Sequence, residues 1–130
     1  METGGSDVKK ILICDDDQDT LDALSVLLRN AGYEVLTAHE HNELSAKMRD
    51  SDPDLILLDV RMPERDGFWI AEGLQVLGRS IPIILMTAYD RMIYRLYAPF
   101  VGCVEYLVKP IDPRVLLSKI NHTLAGAHSH

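Results

Sequence analysis

The chain has 130 residues, enough for one folded domain with a sizeable core and too few for a second. Thirteen Lys and Arg face 20 Asp and Glu, and the formal net charge of −7 has the wrong sign for a phosphate-backbone binder, so direct nucleic-acid binding by this chain alone is not expected. No apolar run approaches the roughly 20 residues of a membrane span, and the opening METGGSDVKK lacks the apolar centre of a secretion signal; its Gly-Gly-Ser reads as a loose tail.

Short apolar runs alternate with segments of helical period. Lys9 to Cys14 reads as a strand, and Asp17 to Asn30 as a helix with Leu21, Leu24, Val26, Leu27 and Leu28 on one broad face. Ala31-Gly32 ends that helix, since glycine tolerates the left-handed cap. Tyr33 to Ala38 is a second strand, and a more polar helix follows from about Glu40 to Arg49. Asp54 to Leu58 is the third strand, apolar enough to be buried on both faces of a parallel sheet, and it delivers Asp59 at its end. Asp66-Gly67 opens a third helix that closes near Gly78. Ile81 to Met86 is the fourth strand, followed by a fourth helix from Asp90 toward Ala98. Val104 to Val108 is the fifth strand. Asp112-Pro113, an N-cap followed by a first-turn proline, starts a last helix to about Leu124.

Five strands alternating with five helices predict an α/β fold: a doubly wound, five-stranded parallel sheet in the order 2-1-3-4-5, with helices on both faces. Ligands of such sheets bind at the carboxyl ends of the strands. There the order of the chain places Asp15-Asp16, Asp59, Thr87 and Lys109-Pro110. Clustered carboxylates repel, and one would be driven toward protonation. Mg²⁺ resolves that conflict, because it takes oxygen ligands in octahedral geometry and keeps several waters. A hydroxyl and a compact ammonium beside it suit a phosphoryl group held between metal and lysine. Asp59 is then placed to act as a nucleophilic carboxylate that forms an aspartyl phosphate.

The blocks ILICDDD, LILLDVRMPERDG, IILMTAY and EYLVKP together resemble the receiver domains of two-component response regulators, from Lys9 to Leu124. The resemblance implies Asp59 as phosphoacceptor and Asp15 and Asp16 as the acidic pair. It implies a Mg²⁺ held by Asp16 and Asp59 with the backbone carbonyl of Arg61, Asp15 belonging to the same metal pocket. Thr87, with Ala88 after it, matches the switch hydroxyl, Lys109 the phosphate-binding lysine, and Tyr106 the switch aromatic. It further implies a histidine kinase or histidine phosphotransfer protein as donor, slow self-dephosphorylation, and a regulatory role in place of a metabolic reaction. Residues 1–8 then form a flexible tail, 9–125 the receiver domain and 126–130 a C-terminal tail.

Two other motifs fail on inspection. Asp15, Asp17 and Asp19 mimic a calcium loop, but Thr20 stands where glycine is needed and Val26 where glutamate is needed. Asp17-Gln-Asp19-Thr-Leu resembles the signature of haloacid-dehalogenase-type phosphatases. That small Mg-dependent phosphohydrolase is the alternative reading, although the motif lacks its glycine, starts after the strand has ended, and leaves Asp59 without a role.

The remaining polar groups say less. Cys14 and Cys103 lie far apart among apolar neighbours and read as buried free thiols, which fits a reducing, cytoplasmic setting. His128 and His130 belong to a solvated tail, and His39, His41 and His122 share no usable spacing with carboxylates. Trp69, early in the third helix, reads as a core or semi-buried residue and not a recognition residue. Arg61 and Tyr89 are large residues flanking the site and narrow the path of an attacking water.

The fourth helix departs from the family pattern. Pro99 should stop or kink it. Met92, Ile93, Tyr94, Leu96, Tyr97 and Phe100 are too many apolar groups for one buried stripe. Either the helix is repacked, or the face made by the fourth helix, fifth strand and fifth helix binds an output partner or a second copy.

Overall fold

The computed structural model describes residues 8–59, 80–88 and 91–127. The strands are β1 (Lys10–Cys14), β2 (Glu34–Ala38), β3 (Leu55–Asp59), β4 (Ile83–Thr87) and β5 (Cys103–Val108). Among the described residues the α-helices are α1 (Gln18–Asn30), α2 (His41–Ser51), α3 (Met92–Tyr97) and α4 (Pro113–Ala127). The predicted third helix lies outside the described residues, as does Trp69, so α3 and α4 correspond to the predicted fourth and fifth helices. All strand pairs are parallel and the order is β2-β1-β3-β4-β5, as predicted.

Side-chain alternation along the strands divides the core into two layers. Leu12 and Cys14 of β1, Ile56 and Leu58 of β3, and Ile83 and Leu85 of β4 pack on one face with Leu44 and Met48 of α2 and with Ala98. Ile11, Ile13, Leu55, Leu57, Ile84 and Met86 pack on the other, against Leu21 and Leu28 of α1 and Leu116, Ile120 and Leu124 of α4. β3 is central and buried over its whole length, which explains why its sequence is continuously apolar instead of alternating. Fully burying one such leucine stabilises by about 1.5–3 kcal/mol.

The ends of α1 follow from local chemistry. Asp17 caps it, its carboxylate accepting the Thr20 hydroxyl at 2.7 Å and the Asp19 N–H at 3.3 Å. At the other end Gly32 takes φ +98°, its N–H donates to Arg29 O, and the Tyr33 N–H donates to Leu28 O. This paired closure requires the left-handed residue that glycine supplies without strain. The predicted apolar face holds except at Val26, which is exposed. Asp112 caps α4 through the Arg114 N–H at 2.8 Å. That helix runs to Ala127, three residues past the end expected near Leu124.

Pro99 does end the regular helix. α3 stops at Tyr97 and a 3-10 turn, Ala98–Val101, carries the chain to Gly102, whose φ of +85° reverses it into β5. The β4–β5 pairing slips by one residue between Ile83 and Ile84, so Ile83 faces Cys103 whereas Ile84 faces Glu105. The bulge leaves Val104 unpaired and half exposed.

Candidate functional site

Because every strand is parallel, β1, β3, β4 and β5 end at the same edge. Asp15 follows β1, Asp59 closes β3, Thr87 closes β4 and Lys109 follows β5. Register sets their relative height: Cys14 pairs with Leu58, Asp59 with Met86 and Thr87 with Val108. Backbone bonds hold the ends together, Asp15 N–H donating to Ala38 O at 3.1 Å and Lys109 N–H to Thr87 O at 2.7 Å.

Lys109 Nζ donates to Asp15 Oδ2 at 2.6 Å and to Asp59 Oδ2 at 3.0 Å. Asp15 and Thr87 are fully buried and Asp59 nearly so, whereas Asp16 is exposed. Burial opposes the charge on Lys109, but its bonds to the two carboxylates outweigh that effect and its pKa is raised. The lysine therefore stays charged at neutral pH and compensates carboxylates that would otherwise be costly to bury. The other Asp15 oxygen, Oδ1, accepts the Asp17 N–H at 3.0 Å, which fixes the orientation of that carboxylate.

Carboxylate oxygens of Asp15, Asp16 and Asp59 all lie within 4.8 Å of one another. This is an all-oxygen donor set with no His or Cys, and Asp16 is its exposed member. It fits a small, hard cation that keeps several waters, the chemistry of Mg²⁺. Arg61 and Tyr89 lie outside the described residues.

Thr87 and Tyr106 share a face of the sheet. Tyr106 pairs with Leu85 across β4 and β5, and Thr87 stands two residues beyond Leu85. Ala88 is exposed immediately after Thr87. Tyr106 is half-buried and packs against the cluster that contains Leu85 and Ala98.

The sequence brought Asp15 and Asp16 forward as an acidic pair, and the resemblance gave Asp16, with Asp59, the direct hold on the metal. The structure divides them: Asp15 is the buried, closer partner of the lysine, and Asp16 is the open member of the cluster. Sequence reasoning missed Arg95, whose guanidinium lies 4.9 Å from the centre of the Tyr106 ring. No local pattern could have signalled a contact between segments that meet only through tertiary packing. Asp17 and Asp19 do not join the site. Asp17 caps α1, and its pKa is lowered, first by the Thr20 hydroxyl bond, which with the Asp19 and Thr20 N–H groups outweighs the opposing effect of burial. Cys14 and Cys103 are both buried free thiols, and burial pushes each pKa up to about 12, with Asp15 adding to the rise at Cys14.

No described helix is long and apolar enough to cross a membrane. The family model described as response regulator receiver domain matches residues 11–121. The chain is 36% identical over 119 residues to the transcriptional regulatory protein ZraR of Escherichia coli (strain K12), covering 92% of this chain and 27% of that protein. It is 33% identical over 116 residues to the alkaline phosphatase synthesis transcriptional regulatory protein PhoP of Bacillus subtilis (strain 168), covering 89% and 48%. It thus spans less than half of the length of either regulator. Among solved structures, a CheY-like response regulator receiver domain protein from Methanospirillum hungatei JF-1 superposes with a TM-score of 0.87 at 33% identity, covering 92% of this chain and 95% of that one. A two-component response regulator from Clostridium difficile gives a TM-score of 0.89 at 28% identity, covering 93% and 99%. The match across most of the chain, on a sheet whose strand ends gather these carboxylates and this lysine, means that the chain belongs to the response regulator receiver domain family.

Proposed function

We propose that this domain is a phosphorylation-dependent switch in which Asp59 accepts a phosphoryl group from a histidine kinase or a histidine phosphotransfer protein. The observation that carries the reading is Lys109 Nζ bridging Asp15 and Asp59 at the strand ends, at 2.6 and 3.0 Å. A bridging ammonium can exchange one carboxylate oxygen for a phosphoryl oxygen without leaving the site. An Asp59 oxygen attacks phosphorus, and the new P–O bond forms as the P–N bond to the donor imidazole breaks. The imidazole keeps the electron pair of that bond and takes up a proton. Lys109 then turns to a phosphoryl oxygen, and the Thr87 hydroxyl and the backbone beside Ala88 supply further donors.

Asp15, Asp16 and Asp59, with the backbone carbonyl of Arg61, would hold Mg²⁺, which supplies positive charge toward the transferring group. Rotation of Thr87 toward the phosphoryl group opens space on the face it shares with Tyr106, so that ring moves with it. Slow attack of water on the aspartyl phosphate resets the switch. The altered surface is that of α3, β5 and α4, which docks an output partner or a second copy of the chain. The domain so read is a regulatory phosphoacceptor of the cytoplasm, not a turnover enzyme. The competing phosphohydrolase would need Asp17 and Asp19 as its catalytic pair, yet Asp17 is engaged in capping α1 and Asp19 is exposed in its first turn.

The test is intact mass after incubation with Mg²⁺ and acetyl phosphate. One added phosphate is expected, with none in Asp59→Asn. A comparable gain in that variant makes another residue the acceptor. Continuous release of phosphate from a monoester over many cycles favours the phosphohydrolase instead.

A further inference from the structure

Helix α3 holds itself poorly. It has six residues, no side-chain bond at its N-cap Arg91, and no acidic residue in its first turn. A helix this short gains little from its own hydrogen bonds and depends on what it packs against. Two of its attachments are apolar, the half-buried Tyr94 and the buried Ala98 that follows it. A third is polar: the exposed Arg95 lays its guanidinium 4.9 Å from the centre of the Tyr106 ring on β5. A planar, weakly hydrated guanidinium over a tyrosine face is attracted by the ring's quadrupole and also stacks on it.

We propose that Arg95 is a positioning residue for Tyr106, holding the ring in its half-exposed resting place and so setting how readily the switch turns. The proposal rests on the reading of Tyr106 as the switch aromatic. Tyr106 and Thr87 project from the same face of adjacent strands, with Thr87 two residues beyond the Leu85 that pairs with Tyr106. In this reading the ring leaves the guanidinium when it moves toward Thr87. The contact favours the resting arrangement, and its strength at a partly exposed site corresponds to about a two- to fivefold bias. Because a phosphoryl group on Asp59 favours the inward arrangement, linkage makes loss of Arg95 strengthen binding at Asp59 by the same factor.

The contact and its consequence can be read separately. In protein labelled with 3-fluorotyrosine, the Tyr106 resonance is the one lost in Tyr106→Phe. Arg95→Met, which keeps the apolar stem but removes the cation, should shift that resonance, and Arg95→Lys should shift it less. With Mg²⁺ and beryllofluoride as the phosphoryl mimic, Arg95→Met should bind about two- to fivefold more tightly than the unaltered chain. In a Tyr106→Leu background the same substitution should change nothing. Uptake of beryllofluoride that Arg95→Met leaves unaltered, or an equal gain without the tyrosine, overturns the role of Arg95 alone. An unaltered chain that takes up no beryllofluoride overturns the phosphoacceptor reading.

Discussion

Lys109 Nζ lies 2.6 Å from Asp15 Oδ2, closer than its 3.0 Å approach to Asp59, so the lysine is held most firmly by the carboxylate that is not the proposed acceptor. Asp15 thereby keeps the ammonium in the site while its bond to Asp59 is exchanged. The same arrangement makes the resting domain depend on the lysine. Lys109→Met should leave three carboxylates within 4.8 Å of one another with no cation among them. The expected loss of stability is about 2–3 kcal/mol, below that of a fully dry pair because Lys109 retains some contact with water. Saturating Mg²⁺ should raise the melting temperature of this variant more than that of the unaltered chain, since the ion relieves the repulsion the lysine no longer offsets. Equal shifts in the two proteins would show that the lysine and the metal do not answer the same charge.

Magnesium affinity should separate the acidic residues after β1. Asp16 belongs to the carboxylate cluster, whereas Asp19 lies in the first turn of α1, where it favours the helix dipole. Asp16→Ala should weaken Mg²⁺ binding about tenfold or more, the scale of losing one charged ligand. Asp19→Ala should change it less than twofold. Isothermal titration would measure both, and equal losses would place the metal away from the end of β1.

What the sequence made legible, and what it did not, follows from the range of each interaction. β3 could be read from Leu-Ile-Leu-Leu because a central parallel strand buries both faces, and such a run ends where the sheet ends. The cap at Asp112 and the closure at Gly32 are local and each was readable, whereas Asp17 was read as the first residue of the helix it caps. Val26 was misplaced because an apolar residue in a leucine-rich helix need not face the core. Asp16 was singled out as a metal ligand only by the resemblance, and the burial of Asp15 against Lys109 depends on how the chain turns after Cys14, which no local pattern shows. Tyr106 was visible by its place before Lys109, but Arg95 above it is a tertiary neighbour with no spacing to announce it. The roles given to Arg61, Tyr89 and Trp69 concern residues outside those described.

The two cysteines should be chemically silent in the native protein. Cys14 lies within β1 and Cys103 opens β5, both inside the first core layer, and burial pushes each thiol up to about 12. At pH 8 the thiolate fraction of such a group is about one in ten thousand. Labelling with a thiol-reactive disulfide should be at least a hundredfold slower than after denaturation, which should expose two equivalents. The sign of the linkage at Cys103 is definite: the folded state holds this proton more tightly than the unfolded state, so its contribution to stability is present below pH 9 and lost as pH rises from 9 toward 12. Rapid labelling of either cysteine at pH 8 would mean that its strand end opens often.

Self-association is the last consequence, and it concerns the apolar residues that α3 and β5 leave outside the core. Met92, Leu96 and Phe100 are 72%, 63% and 76% exposed, and Val104 at the bulge is 50% exposed. Of these, Met92 and Leu96 lie on the short α3, Phe100 on the 3-10 turn that begins beside Pro99, and Val104 at the bulge of β5. Apolar groups gathered in one stretch favour association once their area is large enough to offset the lost freedom of two molecules. The resting domain should therefore be largely monomeric, and beryllofluoride with Mg²⁺ should shift it toward a dimer as Tyr106 rearranges beside α3. Sedimentation velocity measures the shift. Leu96→Glu and Phe100→Glu should each weaken the dimer by about tenfold or more, as expected for charging a central apolar contact. Both positions are exposed in the monomer, so neither change should lower its stability by more than the roughly 0.5 kcal/mol typical of surface substitutions. An activated protein that sediments as a monomer at every concentration would leave this face to an output partner instead of a second copy.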